Sequence, residues 1–126
     1  MRNIVKKMAA AACLVALTGA AGSVTAQAAD KQGAMPSPIE AGKAIAFDRK
    51  LGNCLACHQI AGGTAAGTIG PPLVGMKHRY PDKAKLRAQI WDSTKAKSDS
   101  PMPPFGRNRI LTEKQIDEVT DFIYTL

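Results

Sequence analysis

The run Cys54-Leu55-Ala56-Cys57-His58 constrains this chain more than any other segment. A C-x-x-C pair followed at once by histidine is the attachment signature of a c-type haem: two thiols add to the porphyrin vinyl groups and the adjacent imidazole coordinates iron. The spacing is mechanical. A helical turn starting at Cys54 sets both sulfurs along one porphyrin edge and swings His58 beneath the metal. With three cysteines and two histidines among 126 residues, a chance match has odds of about one in a thousand. Structural zinc would consume Cys54, Cys57, His58 and His78 together, and export disfavours it. A thioredoxin-like redox pair needs a βαβ pattern that is missing here, and a plain disulfide leaves His58 without a role. One covalently attached haem c, with its iron, is the expected cofactor.

Met1 to Ala28 reads as a secretory signal, with Arg2, Lys6 and Lys7 as its positive region and Ala9 to Ala21 as its apolar run. The run falls short of the roughly 20 residues a membrane span needs. Cleavage is expected after Ala26-Gln27-Ala28, which discards Cys13 and sends residues 29–126 to the periplasm. Residues 29–36 lack periodicity and read as a flexible tail, and the domain covers 37–126. Loss of the signal takes three positive charges away, so the net charge falls from +7 to +4. That mild basicity suits an acidic docking partner and not nucleic acid. Three Phe, two Tyr and one Trp make a thin core. Haem fills it: burying roughly 500 Å² of porphyrin contributes on the order of 10 kcal/mol as an upper estimate.

Ser37-Pro38-Ile39-Glu40 opens the domain with a serine cap, a proline at the first helical position and a glutamate at the third. This capping box predicts a helix from Pro38 to about Lys50, stopped by Gly52-Asn53. Gly42, Ile45 and Ala46 share one face, and the bare Gly42 invites another helix to approach closely. From Gln59 to Gly75, Gly, Ala, Thr and Pro dominate, which suits a loop wrapping a ligand. A shorter helix follows, with Pro81 in its first turn and Leu86 and Ile90 on one face, fading near Trp91. Ser93 to Arg109 is a second irregular stretch. Thr112 and Gln115 form another capping box for a last helix that reaches the C-terminus, where Ile116, Val119, Ile123 and Leu126 make an apolar stripe. Three helices, two long loops and no strand signal define an all-α domain.

Iron in a six-coordinate electron carrier needs a ligand opposite His58, and the mature chain offers Met35, Met76, His78 and Met102. Met35 lies in the tail, and Met76 and His78 follow a loop expected on the His58 side. Met102 is flanked by Pro101 and Pro103, which exclude helix and present the thioether at low entropic cost. Met102 is the expected ligand; the alternative is that it only packs on the ring while His78 or water coordinates. Pro71 is the candidate to hold the other ring nitrogen of His58 through its carbonyl. Leu73, Phe105 and Trp91 are candidates to line the haem, each equally readable as ordinary core. Lys77, Arg79, Lys95, Lys97, Arg107 and Arg109 surround the expected haem edge, where they either steer an acidic partner or simply solvate the surface. No G-x-S-x-G or phosphate-cradling glycine motif is present, and Asp117 and Asp121 read as a solvated face. No catalytic residue is assigned.

A C-x-x-C-H after a first helix, Gly70-Pro71-Pro72-Leu73, Met102-Pro103 and a C-terminal helix ending near Tyr124 make Ser37 to Leu126 resemble class I cytochromes c. The resemblance implies first and last helices crossing around a covalently bound haem, Gly42 near Tyr124, and His58 and Met102 as axial ligands. The first helix sits farther from Cys54 than in short cytochromes, which leaves the partner of Gly42 open. More narrowly, G-N-C-L-A-C-H at Gly52 to His58, G-x-I-G-P-P-L ending at Leu73 and P-M-P-P-F-G at Pro101 to Gly106 resemble SoxX, the small cytochrome subunit of SoxAX. That resemblance implies bacterial thiosulfate oxidation with SoxA as heterodimer partner. SoxA carries the catalytic haem and joins thiosulfate to a cysteine of the SoxYZ carrier, the L-cysteine S-thiosulfotransferase reaction. The small subunit takes the electrons and passes them to a soluble cytochrome c, and is not an enzyme alone. A free monohaem carrier and a cytochrome subunit of another periplasmic oxidoreductase remain open alternatives.

Overall fold

Residues 35–126 are described by a computed structural model. The expected signal segment, Cys13 and all but the end of the expected tail lie outside the described residues. Four α-helices follow in order: α1 (Pro38–Phe47), α2 (Met76–Arg79), α3 (Lys83–Trp91) and α4 (Glu113–Ile123), with single 3-10 turns at Cys54–Ala56 and Ser93–Lys95. Among the described residues there is no strand.

Both capping boxes form. The Ser37 hydroxyl accepts from the Glu40 N–H at 3.3 Å while the Glu40 carboxylate accepts from the Ser37 N–H at 2.9 Å; Thr112 and Gln115 repeat the exchange. α1 ends at Phe47, sooner than the sequence predicts, because Asp48 turns extended and its carboxylate takes the Lys50 N–H at 2.7 Å. A short acidic side chain thus outcompetes the next helical bond. α2 is an extra turn between the expected loop ending at Gly75 and the expected helix at Pro81, where the sequence reading assigns nothing: Gly75 adopts a left-handed φ of 57° and redirects the chain into it. Pro81 precedes α3 and does not sit in its first turn, since the side chain of Asp82 is the cap, accepting from the Ala84 N–H at 2.8 Å. α4 stops at Ile123, short of the C-terminus, and the Leu126 carbonyl accepts the Met76 N–H at 2.8 Å.

α1 and α4 make the most intimate contact, through the face formed by Gly42, Ile45 and Ala46. A Cβ at Gly42 would overlap the Glu118 carbonyl and press on Phe122. The crossing therefore falls at Glu118 and Phe122, about one turn before the expected Tyr124. Phe122 is buried there and meets Phe47 edge-on at 6.0 Å, whereas Tyr124 turns aside to donate its hydroxyl to the Pro81 carbonyl at 3.2 Å. Ile45 and Ala46 join Leu86, Ile90, Ile116, Val119, Phe122 and Ile123 in the core, closed by Leu73, Met76, Phe105 and Leu111 from the connecting segments. Asp117 and Asp121 are not merely solvated: Arg87 pairs with Asp117 at 2.5 Å and Glu113 at 2.6 Å, and Lys83 pairs with Asp121, tying α3 to α4.

Gly42→Val is expected to lower the unfolding free energy by about 3 kcal/mol, the upper end of overpacking costs, measured by guanidinium denaturation. An unchanged midpoint would mean that the two helices do not meet there.

Candidate haem-binding site

The attachment turn is organised by its own backbone. Asn53, at a left-handed φ of 46°, starts the turn at Cys54, whose carbonyl accepts the Cys57 and His58 N–H groups at 3.2 and 2.9 Å. Cys54 and Cys57 are both half-buried free thiols. Burial pushes the Cys54 thiol up to about 11, so it is neutral near pH 7.

The glycine-rich segment wraps this turn with backbone bonds. The Gly67 N–H reaches the Leu55 carbonyl at 2.7 Å, the Gly70 N–H the Cys57 carbonyl at 2.9 Å, and the Leu73 N–H the Gln59 carbonyl at 2.9 Å. A side chain at Gly70 would overlap the His58 ring, so glycine is what lets the chain pass against the imidazole. Just beyond it, the Pro71 carbonyl lies 2.7 Å from His58 Nδ1. A carbonyl has no proton to give, so the ring donates from Nδ1 and keeps its free lone pair on Nε2. The next carbonyl, of Pro72, is held by Arg79 at 2.8 Å.

One cavity of about 460 Å³ gathers Cys54, Cys57, His58, Pro71, Leu73 and Met102. That volume lies within the roughly 300–1,000 Å³ typical of cofactor pockets. Phe105, Leu86, Ile90, Val119 and Ile123 supply apolar wall, and Arg49 and Arg79 also line it. Two thiols, an imidazole lone pair and a thioether, set in an apolar cavity, are the donor set of a haem c. Trp91 is absent from the lining; it packs on Gly106, where a Cβ would overlap the indole, and carries the Arg87 guanidinium 5.5 Å over its ring. Among the other methionines, Met35 is 87% exposed, and Met76 lines the cavity but is buried with its sulfur already accepting from Arg79 at 3.4 Å. His78 lies exposed on α2, outside the lining.

Sequence reasoning misses what supports the Met102 segment. Asp92, 3% exposed, accepts from the Thr94 hydroxyl at 2.5 Å and backbone at 3.1 Å, and from Arg107 at 3.0 Å. The Gly106 N–H reaches the Trp91 carbonyl at 3.1 Å. Asp92-Ser93-Thr94 carries a turn signal, but nothing in the sequence ties it to a segment so far along the chain.

Residues 39–126 match the cytochrome c family. The chain is also similar to a chain in the crystal structure of SoxXA from P. pantotrophus, at 32% identity and a TM-score of 0.63, covering 74% of this chain and 83% of that one. The chain belongs to the cytochrome c family. It is a SoxX-type monohaem cytochrome with the all-helical class I fold, and its cofactor is a covalently bound haem c, for which Cys54, Cys57 and His58 supply the motif. No curated protein matches this cytochrome. Among its described residues, no helix is long and apolar enough to cross a membrane.

The Thr94 hydroxyl and backbone, then the Arg107 charge, hold the Asp92 carboxyl below the usual carboxylate range. A depressed folded value means that the stabilisation is complete above the unfolded pKa, near 4, and disappears as pH falls through the folded value. Asp92→Asn is expected to be less stable at pH 7 and to lose less on acidification below pH 4. Equal acid slopes in thermal melts would show that Asp92 contributes nothing.

Proposed function

We propose that this cytochrome is the electron-transferring subunit of a periplasmic SoxAX complex. It takes the electrons released when thiosulfate is joined oxidatively to a cysteine of SoxYZ, and passes them to a soluble cytochrome c. The observation that carries the reading is the 32% identity to a chain of a SoxXA crystal structure over most of both chains. SoxA is then the permanent partner, with SoxYZ and the acceptor cytochrome as transient ones. A secretory signal in residues 1–28, followed by a tail to residue 36 and the cytochrome domain to residue 126, supports a periplasmic place.

Haem c, when bound, would supply one-electron chemistry. In this reading His58 offers Nε2 to the iron, and the Pro71 carbonyl fixes the ring's tautomer and raises its basicity through the 2.7 Å bond to Nδ1. Met102 would offer its thioether to the iron, a soft donor that favours the ferrous state and so a high potential. Leu73 and Phe105 exclude water from the cavity, which keeps the charge change on the metal poorly solvated and favours the lower charge. None of these residues exchanges a proton or changes partner during electron transfer, and thiosulfate chemistry is left to SoxA.

Met102→Ala is expected to lower the reduction potential and abolish the near-infrared methionine-to-iron band of the ferric protein; persistence of both would remove Met102 as a ligand. Mild affinity purification of the tagged protein from its native periplasm, under growth on thiosulfate, is expected to bring a stoichiometric second haem subunit. The protein alone should show no thiosulfate-conjugating activity. Recovery of a red protein by itself would establish a free carrier instead.

A further inference from the structure

Two buried hydroxyls donate to backbone carbonyls in the described structure, and they do different work. Thr120 bonds within its own helix, to the Ile116 carbonyl at 2.7 Å. Ser93 reaches across nine positions to the Met102 carbonyl, also at 2.7 Å. The Ser93 residue is 0% exposed, so its hydroxyl has no water to fall back on when the bond is broken. Ser93 sits in the turn at the end of α3, beside Asp92, which holds Arg107 at 3.0 Å. The preceding carbonyl, of Trp91, takes the Gly106 N–H at 3.1 Å. Three consecutive residues, Trp91, Asp92 and Ser93, thus grip the segment at Met102 and again at Gly106 and Arg107.

We infer that Ser93 is a positioning residue for the sixth ligand: its hydroxyl fixes the Met102 backbone, so that the thioether stays in the cavity against competing ligands. This rests on the reading of Met102 as ligand. Proline at 101 and 103 restricts the shape of the segment but does not attach it to anything. Ser93 supplies the attachment at Met102 itself. Without it the segment departs at lower cost, and an external base enters more readily; by population shift, the apparent affinity for that base rises by the factor lost in holding the methionine.

The test uses the haem-loaded protein, with imidazole as the competing base. Ser93→Ala is expected to bind imidazole about tenfold more tightly to ferric iron, as the loss of one buried hydrogen bond predicts. It is also expected to show a weaker near-infrared band and a lower potential. Thr120→Val removes a comparable buried hydroxyl and should match the parent in all three, although its melting temperature falls; Ser93→Thr, which keeps a hydroxyl, should restore the band. Should Ser93→Ala fail to accumulate, Ser93→Cys, close in size and a far weaker donor, replaces it with the same expected directions. Parent-like imidazole affinity, band and potential in the Ser93 variant overturn the positioning role, as does an equal shift in Thr120→Val. Met102→Ala distinguishes the two failures: a near-infrared band that survives Met102→Ala removes the ligand reading itself, whereas a band lost there but untouched in the Ser93 variant removes only the inference about Ser93.

Discussion

Everything in this cytochrome hangs on two helices meeting without side chains between them. At Gly42 the backbone of α1 lies against the Glu118 carbonyl of α4, closer than any Cβ would permit. The contact brings the beginning and end of the domain together, and Ile45, Ala46, Ile116, Val119 and Phe122 are buried around it. The segments between α1 and α4 carry Cys54, Cys57, His58 and Met102, while α4 adds Val119 and Ile123 to the cavity wall. Apart from α2, α3 and two 3-10 turns these segments are irregular, and they hold their positions through hydrogen bonds to one another.

The two sides of the cavity are held by different means. On the His58 side, the ring faces a carbonyl at 2.7 Å and the wrapping segment is fastened by backbone bonds at Gly67, Gly70 and Leu73. Such bonds depend on the path of the chain and only indirectly on side-chain identity. The Met102 side relies more on side chains, with Asp92 and Arg107 paired and Ser93 donating inward beside the backbone bond from Gly106 to Trp91. Substitution therefore has a more direct route to altering the methionine side than the histidine side. Under the proposed ligation, the potential can be tuned from the Met102 side without disturbing the attachment of the cofactor at Cys54, Cys57 and His58.

Much of this was legible in the sequence because the signals were local. Cys54, Cys57 and His58 are read within five residues; Ser37 with Glu40, and Thr112 with Gln115, announce helix starts within four. The apolar face at Gly42, Ile45 and Ala46 and the stripe at Ile116, Val119 and Ile123 follow from helical period alone, and these residues are buried as expected. What escaped was non-local. The extra turn of α2 depends on a left-handed Gly75, and glycine announces freedom without announcing its direction. Asp117 and Asp121 looked solvated because their partners, Arg87 and Lys83, stand in another helix. Trp91 is readable equally as haem lining or as ordinary core, and its packing against Gly106, which turns it away from the cavity, is reported by neither residue until the chain is folded.

The ladder between α3 and α4 gives these two halves unequal responses to ionic strength. α3 buries only Leu86 and Ile90 and is otherwise tied down by Lys83 and Arg87 to carboxylates at the surface. Exposed pairs of this kind contribute about 0.2–1 kcal/mol each and weaken as the screening length falls from about 8 Å at physiological salt to about 3 Å at 1 M. The contact at Gly42 is made by close packing and has no such dependence. Concentrated salt accordingly loosens the helix whose end grips Met102 while leaving the α1–α4 crossing intact, so the ionic atmosphere acts on the Met102 side of the cavity from outside the protein.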